Sequence, residues 1–436
     1  MSEWIETTLG EISTQRKGIN YKSEDYCPDD SGHPFITIKC FQKGGGYEPT
    51  GIKFYDGGST KADHLNPGDI LFSVTDLTRA GDIVGSPLRV PEFGNSAPSL
   101  ASMDCMRITP IDSKCAKPFL YHRLMLSDVR RQMVAYAAGS TVLHLDTKKV
   151  PAIRVRIPAN VAAQRKIAAI LNTIDTAIEQ TEALIEKYQH IKAGLMHDLF
   201  TRGVLPTGQL RPPREQAPEL YQETAIGWIP REWVVSGLAS KGRAGTSWIR
   251  TGPFGSSLKG EHWRIDGHPV ITIGALGTGE FIESELLFVG TKDASRLIDF
   301  QLRENDVVFS RVADVGRSVV VREGQSGWIM SSNLMRIAVN QTLLRPDYLQ
   351  MQLASDSRVK AQIRASVNSG GRDVANSEVL NRLRFAIPKP DEQDRIIGMA
   401  DRLAQRMNAE MRRVAKLQTQ KLGLMQDLLT GKVSVQ

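Results

Sequence analysis

The chain has 436 residues, of which 41% are hydrophobic and 24% are charged, and its formal net charge is +7. This composition is typical of a globular protein with roughly two to four domains, and it excludes a disordered or fibrous chain. No apolar run reaches the roughly eighteen residues of a membrane span and no signal peptide is recognisable, so we expect a cytoplasmic protein without membrane contact. The positive charge permits nucleic-acid binding without requiring it.

The four cysteines lie in the first third of the chain, at Cys27, Cys40, Cys105 and Cys115. They form no Cys-x-x-Cys pair and no histidine cluster accompanies them. This pattern favours reduced structural thiols over a metal site or a disulfide framework.

Residues 1–157 contain short apolar or β-branched runs separated by Gly, Pro, Asn and Asp. Examples are Phe35-Ile-Thr-Ile38 and Ile70-Leu-Phe-Ser-Val74, which are typical of strands between turns. One helical stretch lies between Pro118 and Ala138. We predict a mixed α/β domain over residues 1–157.

Residues 158–204 carry apolar or seam positions at alternating steps of four and three, the repeat of a coiled coil. The seam positions are Ile167, Leu171, Ile174, Ile178, Thr181, Ile185, Tyr188, Lys192, Leu195 and Leu199. A surface helix packed on its own domain is the alternative, but such helices rarely keep a strict stripe over this length. The pattern favours a long helix that pairs with another.

Residues 205–224 are rich in proline and polar residues and are predicted to be a linker. Strand and turn patterns resume over residues 225–387, including Val307-Val-Phe-Ser310 and a helical stretch from Pro346 to Val367. Residues 388–436 form a second long helix. Its seam is Ile396, Ala400, Leu403, Met407, Glu410, Val414, Leu417, Lys421, Leu424 and Leu428.

The second half of the chain repeats the first. Lys192-Ala-Gly-Leu-Met-His-Asp-Leu-Phe-Thr201 returns as Lys421-Leu-Gly-Leu-Met-Gln-Asp-Leu-Leu-Thr430, a shift of 421 − 192 = 229 residues. The same shift carries Gln164 to Gln393, Met106-Arg107-Ile108 to Met335-Arg336-Ile337, and Trp4 to Trp233. One register held over nearly half the chain indicates an internal tandem duplication.

Several local motifs resemble those of one family, the specificity subunits of type I restriction-modification systems. They are the entry Gly227-Trp-Ile-Pro…Trp233, the turn Thr251-Gly-Pro-Phe-Gly-Ser-Ser-Leu258, and Ile387-Pro-x-Pro-x-Glu-Gln393. The first copy departs from this pattern, because it lacks a Gly-Pro-Phe-Gly-Ser turn and the second proline before Gln164.

The resemblance implies an α+β fold with two mixed α/β target-recognition domains, joined by two long antiparallel coiled-coil helices with pseudo-twofold symmetry. It also implies recognition of a bipartite sequence in double-stranded DNA, with one half read by each domain. Two methyltransferase subunits and the restriction and translocase subunits would be partners. These partners would carry out adenine methylation and cleavage, and would bind S-adenosylmethionine, ATP and Mg²⁺; no cofactor is expected in this chain.

Candidate DNA-binding residues are those on polar, glycine-rich loops that can approach phosphates and base edges. In the first domain they are Arg16, Lys17, Lys43, Arg79, Ser140 and Thr141. In the second domain they are Arg250, Ser256, Lys259, Arg311, Arg317, Asn368 and Arg372. Ordinary solvated loops are the alternative for any single residue. Partner contact is predicted at matched helix positions, namely Gln164, Lys192, Met196, Gln393, Lys421 and Met425.

Catalytic motifs are absent from the sequence. There is no Asn/Asp-Pro-Pro-aromatic element for a flipped adenine and no Gly-x4-Gly-Lys-Ser/Thr loop for ATP. No catalytic or metal site is therefore expected. Two other functions remain open: the recognition module of a fused enzyme, and a coiled-coil scaffold without a DNA role.

Overall fold

The computed structural model describes residues 3–28, 31–78, 80–94, 97–312, 314–368 and 374–435. Contacts divide the chain into two units. Unit 1 combines Met1–Ala183 with Met411–Gln436, and unit 2 is Leu184–Glu410. Each unit therefore holds one globular head, the beginning of one long helix and the end of the other.

Head 1, the globular part of unit 1 from strand Trp4–Thr8 to strand Arg154–Pro158, is built on two four-stranded sheets. The first is antiparallel, in the order Ser13–Lys17, Cys105–Pro110, Ile70–Ser73, Pro87–Arg89. The second has the order Tyr26–Cys27, Lys53–Tyr55, His33–Ile36, Leu100–Ala101, and its last pair is parallel. The apolar run that begins at Ile70 is fully buried, as expected for a strand covered on both faces.

The rest of head 1 connects these sheets to the first long helix. Strand Trp4–Thr8 pairs antiparallel with Arg154–Pro158, and a small sheet contains Thr75–Asp76, Ala137–Ala138 and Leu143–Leu145. The α-helices are Leu9–Ile12, Lys117–Met125 and Ser127–Ala135. The single helical stretch expected between Pro118 and Ala138 is therefore two helices, because Leu126 between them has an extended backbone.

Head 2, the globular part of unit 2 from strand Val234–Ser236 to strand Phe385–Ile387, repeats this topology. Its antiparallel sheet has the order Ile249–Thr251, Leu334–Ala338, Asp306–Ser310, Ser318–Val320. The other sheet has the order Trp263–Arg264, Leu287–Val289, His268–Ile271, Ile329–Met330, again with a parallel last pair. Val234–Ser236 pairs with Phe385–Ile387 as the first and last strands of head 1 do. The order and direction of the strands thus support the duplication found in the sequence.

The helices of head 2 are Thr291–Arg296, Pro346–Ser355, Ser357–Asn368 and Ser377–Arg382. The stretch expected from Pro346 to Val367 is also broken. At the break, Asp356 accepts a hydrogen bond from the backbone N–H of Arg358 and starts a new helix.

The segment predicted as a linker is folded onto head 2. Strands Tyr221–Thr224 and Gly227–Pro230 form a hairpin within and just after it. Arg211 is buried, and its Nη1 and Nη2 atoms donate hydrogen bonds to the carboxylate of Glu392. Glu392 lies in the first turn of the second long helix. This bidentate pair fixes the linker to the helix that follows head 2.

The two long helices are Val161–Thr201 and Pro390–Leu428. In unit 1, Ile167 and Leu171 of the first share a core with Met425 and Leu428 of the second. In unit 2, Met196 and Leu199 share a core with Ile396. The beginning of each helix packs beside the end of the other, which confirms the predicted antiparallel pairing. Among the described residues, no helix is long and apolar enough to cross a membrane.

Candidate DNA-binding surface

The two heads carry a matching pair of arginines on neighbouring strands. In head 1, Arg16 lies directly across from Arg107 in the antiparallel sheet. In head 2, Arg250 lies directly across from Arg336. Because directly opposed residues point to the same face of a sheet, the two arginines of each pair lie side by side. Arg336 is itself buried against Asp306, so Arg250 is the exposed member of the pair in head 2.

In both heads the strand that carries Arg16 or Arg250 leads to a closely packed glycine. A Cβ atom on Gly18 would lie 2.2 Å from the carbonyl oxygen of Ser102, and one on Gly252 would lie 1.9 Å from that of Ser331. Arg16-Lys-Gly18 is thus the structural equivalent of Arg250-Thr-Gly252. The first copy lacks the Gly-Pro-Phe-Gly sequence but keeps the backbone path that it follows.

An aspartate faces the first arginine in each head. Arg16 Nη2 lies 2.6 Å from Asp63 Oδ1, and Arg250 Nη2 lies 3.1 Å from Asp299 Oδ2. The other oxygen of Asp63 accepts hydrogen bonds from the amide and the hydroxyl of Thr60. These Thr60 bonds, together with Arg16, lower the pKa of Asp63 to about 2, so this carboxylate is ionised throughout the physiological range.

Arg107 fixes the segment that contains Asp63. Its guanidinium donates to the carbonyl oxygens of Ala62 and His64, at 3.0 and 2.9 Å. Arg107 therefore serves as a support behind the Arg16–Asp63 pair, and the cleft beside them is nearly filled, with a free volume of about 10 Å³.

Head 2 has an open groove at the equivalent place, with a volume of about 500 Å³. It is lined by Arg250, the Gly252-Pro-Phe-Gly255 turn, Phe300, Arg311, Ser332 and Asn333 among others. The Arg250 guanidinium stacks over the Phe300 ring at 4.9 Å, and Phe254 at the rim is 86% exposed. Two of the predicted DNA-binding residues, Arg250 and Arg311, thus meet in one groove that offers cations, backbone amides and an aromatic ring.

Arg311 lines this groove and is anchored by backbone carbonyl groups. It donates to the carbonyl oxygens of Ala375 and Ser332, at 3.3 and 3.4 Å. These long bonds leave other donors of its guanidinium available.

Arg317 lies in a different cavity from Arg250 and Arg311. This cavity has a volume of about 390 Å³ and also contains Lys360 and Arg364, one turn apart on helix Ser357–Asn368. Three cations on one concave surface suit a phosphate group.

The remaining predicted DNA-binding residues are dispersed. Lys17, Lys43, Lys259, Ser140 and Thr141 are exposed. Arg79 and Arg372 lie outside the described residues, and of Ser256 and Asn368 only the backbone is described.

Aspartates face four of the predicted DNA-binding cations. Besides Arg16 and Arg250, Lys43 lies 2.7 Å from Asp82 and Arg317 lies 3.6 Å from Asp314. The pairing with Asp82 raises the pKa of Lys43. Part of the positive charge on the predicted DNA surface is therefore neutralised within the chain.

The predicted partner-binding glutamines are internal. Gln164 accepts from the backbone N–H of Ala116 and donates to the carbonyl oxygens of Lys114 and Pro158. Gln393 forms the same three bonds, with Arg345, Leu343 and Pro388. Both side chains are fully buried. They join each head to its long helix, and we reassign them from partner binding to this junction.

Met196 and Met425 are also internal, in the cores of units 2 and 1. Of the two matched lysines, Lys421 forms an ion pair with Asp175 at 2.7 Å, whereas Lys192 is exposed. Lys192 is therefore the one predicted partner-binding residue that the structure leaves on an open surface.

Sequence reasoning missed Asp63, Arg107, Asp299, Arg336, Lys360 and Arg364 as members of these sites. Arg107 and Arg336 belong to a matched stretch of the duplication, so their shared position was a usable signal. The aspartates stand at different offsets in the two copies, 299 − 63 = 236 residues apart, and only the folded sheets align them.

Comparisons with known proteins agree with this geometry. Residues 1–188 match the family model of the type I restriction modification DNA specificity domain. The type I restriction enzyme EcoBI specificity subunit of Escherichia coli is 22% identical over 95% of this chain and 83% of its own length. The MjaVIII specificity subunit of Methanocaldococcus jannaschii is 22% identical over 73% of this chain and 70% of its own length.

The crystal structure of the type I restriction-modification S subunit from M. genitalium has the same fold. It aligns with a TM-score of 0.56 at 13% identity, and the alignment covers 98% of this chain and 96% of that one.

The duplicated sheets, with an opposed pair of arginines on each, define a protein built from two copies of one structural module. Over most of its length the chain is similar to specificity subunits of type I restriction-modification systems, and its first 188 residues match the type I restriction modification DNA specificity domain.

Proposed function

We propose that this subunit reads a bipartite target in duplex DNA, with one half-site contacted by each head. The observation that carries this proposal is the repetition of the opposed arginine pair at the same sheet position in both heads. Two copies of one binding surface in a single chain suit a target made of two separate parts.

The two half-sites differ in sequence under this proposal, because the heads present different side chains. Beside its arginine, head 1 has Lys17 and a filled cleft, whereas head 2 has an open groove with Phe254 at its rim. Base edges are distinguished by the pattern of donors and acceptors that faces them, so unlike grooves select unlike bases.

The subunit itself is non-catalytic in this proposal. Two methyltransferase subunits methylate adenine and bind S-adenosylmethionine, while restriction and translocase subunits use ATP and Mg²⁺. The similarity to EcoBI, by name a specificity subunit of a restriction enzyme, supports a role inside a larger complex. Exposed apolar residues on the long helices, Ile191 and Leu422, together with Lys192, supply surface for such subunits.

The proposal is tested by substituting one head at a time. The target is first identified from the methylated sequences in DNA of cells that carry the intact system. Arg311→Ala is then assayed for binding to duplexes altered in one half-site at a time. Because this substitution removes a base-reading side chain from head 2, it should weaken recognition of one half-site by about 1–3 kcal/mol and leave the other unchanged.

Arg16→Ala should affect the opposite half-site, and Arg402→Ala on an exposed face of the second long helix is the control with the same charge change. Equal effects on both half-sites would show that the heads do not read separately. Absence of salt-dependent DNA binding by the wild-type protein would instead favour a scaffold, because binding to DNA phosphates releases counterions.

A further inference from the structure

We propose that Asp63 and Asp299 are built-in competitors of DNA phosphate, which hold Arg16 and Arg250 away from non-target DNA. The inference rests on the proposed function, since it assumes that these arginines face DNA. It assigns to each head an acidic residue that lowers affinity for DNA without contacting a base.

In head 1 the competitor is rigid. Asp63 is 14% exposed in its side chain, and Thr60 binds one of its oxygens while Arg16 binds the other. Arg107 secures the backbone on both sides of Asp63. The carboxylate therefore keeps its position when Arg16 leaves, and it occupies the site that a phosphate oxygen would take. Arg16 itself is 49% exposed, so an incoming phosphate can reach it.

In head 2 the competitor is looser. The side chain of Asp299 is 70% exposed, and within the described part of the chain Arg250 is its one ion-pair partner. Arg250 also stacks on Phe300, which holds the guanidinium beside the groove whether or not Asp299 is present. A solvated, mobile carboxylate competes less well than a fixed one, so we rank Asp63 above Asp299 in effect.

The Arg16–Asp63 and Arg250–Asp299 ion pairs lie at equivalent places in the two heads. The arginines occupy the same register against Arg107 and Arg336, and both precede a glycine packed against a serine carbonyl. The heads otherwise differ in loop length and in most side chains. The presence of an acid beside this arginine in both copies, although at different offsets in the sequence, points to a shared task rather than to a local loop contact.

The two aspartates should lower the affinity for non-target DNA most strongly. Binding to non-target DNA depends almost entirely on phosphate contacts, so an arginine already paired with an aspartate contributes little there. At the target, contacts with base edges supply the additional free energy with which a phosphate displaces the carboxylate. The aspartates would therefore widen the difference in affinity between target and non-target DNA.

The experiment measures binding of the full-length chain to a random-sequence duplex over a range of salt concentrations. Asp63→Asn should tighten this binding about two- to fivefold, the range expected when one solvent-exposed ion pair is removed. It should also steepen the slope of log K against log salt by about 0.9, the value for one additional phosphate contact. Asp299→Asn should act in the same direction and more weakly.

Asp112→Asn is the matched control for head 1. It makes the same change in net charge, but Asp112 is exposed and forms no ion pair within the described residues. A second arm repeats Asp63→Asn in an Arg16→Ala background, where the proposal expects no effect beyond that of the control. Thr60→Ala, which frees Asp63 without removing its charge, should tighten binding to a smaller extent.

A purely structural ion pair predicts the opposite sign, because loosening the loop would weaken DNA binding. Weaker or unchanged binding by a folded Asp63→Asn variant would overturn the proposal. It would also be overturned if Asp112→Asn had the same effect, or if the gain persisted without Arg16. A wild-type protein that binds no DNA at all would refute the proposed function instead.

Discussion

The ammonium group of Lys421 lies 2.7 Å from Asp175 Oδ1, which joins the end of the second long helix to the beginning of the first within unit 1. The repeat does not preserve this ion pair. At the positions related by 229 residues, Lys192 would face Ala404, since 421 − 229 = 192 and 175 + 229 = 404. The two helix junctions therefore have equivalent apolar cores but different electrostatics.

Lys421→Met should destabilise unit 1 by about 1–2 kcal/mol, because Asp175 is only 14% exposed and would lose its cationic partner. Lys192→Met is the matched control, and it should change stability by less than about 0.5 kcal/mol because Lys192 is exposed. Urea unfolding of both variants checks this. Equal effects of the two substitutions would show that the ion pair adds nothing to helix pairing.

The same junction should make unit 1 sensitive to acid. His122 is fully buried, 2.8 Å from Asn172 and 3.1 Å from Arg89, with Asp175 at 4.0 Å and Lys421 beyond it. Burial lowers the pKa of His122 to about 4 from its ordinary value of 6.5. Between these values the unfolded chain binds a proton that the folded chain does not. The free energy of unfolding must therefore fall as the pH falls through this window, by at most about 1.4 kcal/mol per pH unit.

His122→Met tests this directly, because the repeat places Met351 at the equivalent position. The variant should have a smaller pH dependence of unfolding between about pH 4.5 and 6.5 than the wild-type chain has. The measurement is urea unfolding at several pH values. An identical pH dependence in both proteins would mean that other groups dominate acid sensitivity.

Gln164 and Gln393 should contribute equally to the stability of their units. Gln164→Ala and Gln393→Ala each leave three backbone groups at the junction of head and helix without their side-chain partner, so each should cost about 2–4 kcal/mol in the unfolding of its own unit. Gln180→Ala on the exposed face of the first long helix should be nearly neutral. A small destabilisation at either glutamine would show that water replaces the amide at that junction.

Gly203 is expected to tolerate no side chain. Its φ is +65°, and an added Cβ would lie 2.2 Å from Glu392 Oε1 and 2.4 Å from the Trp233 ring. Gly203→Ala should therefore destabilise unit 2 by more than about 2 kcal/mol, whereas Gly208→Ala should cost only the backbone strain of about 1–2 kcal/mol. Gly208 has a φ of +79° with nothing within 4 Å of the added atom, so it isolates that strain. Thermal unfolding of the two variants compares them.

The architecture could be predicted from the sequence because the duplication and the helical repeat are periodic signals that survive divergence. Both long helices and their pairing followed from them, whereas the antiparallel direction of the pairing was implied by the resemblance to a known family. The candidate site was harder to predict, since it depends on pairs that are distant in sequence. Arg16 and Arg250 were found as loop cations, but their aspartates become neighbours only through the sheet. Gln164 and Gln393 were assigned to a partner because a matched polar residue on a helix gives no sign of burial.

Unit 1 is assembled from two segments that are far apart in the sequence, which affects the order in which the protein folds on the ribosome. The core that contains Ile167 and Leu171 remains incomplete until Met425 and Leu428 have been synthesised. Unit 2 is one continuous stretch, Leu184–Glu410, and all of it leaves the ribosome before those residues do. Unit 1, which contains the N-terminal head, is therefore completed after unit 2, in contrast to the usual N-terminal-first order of multidomain chains.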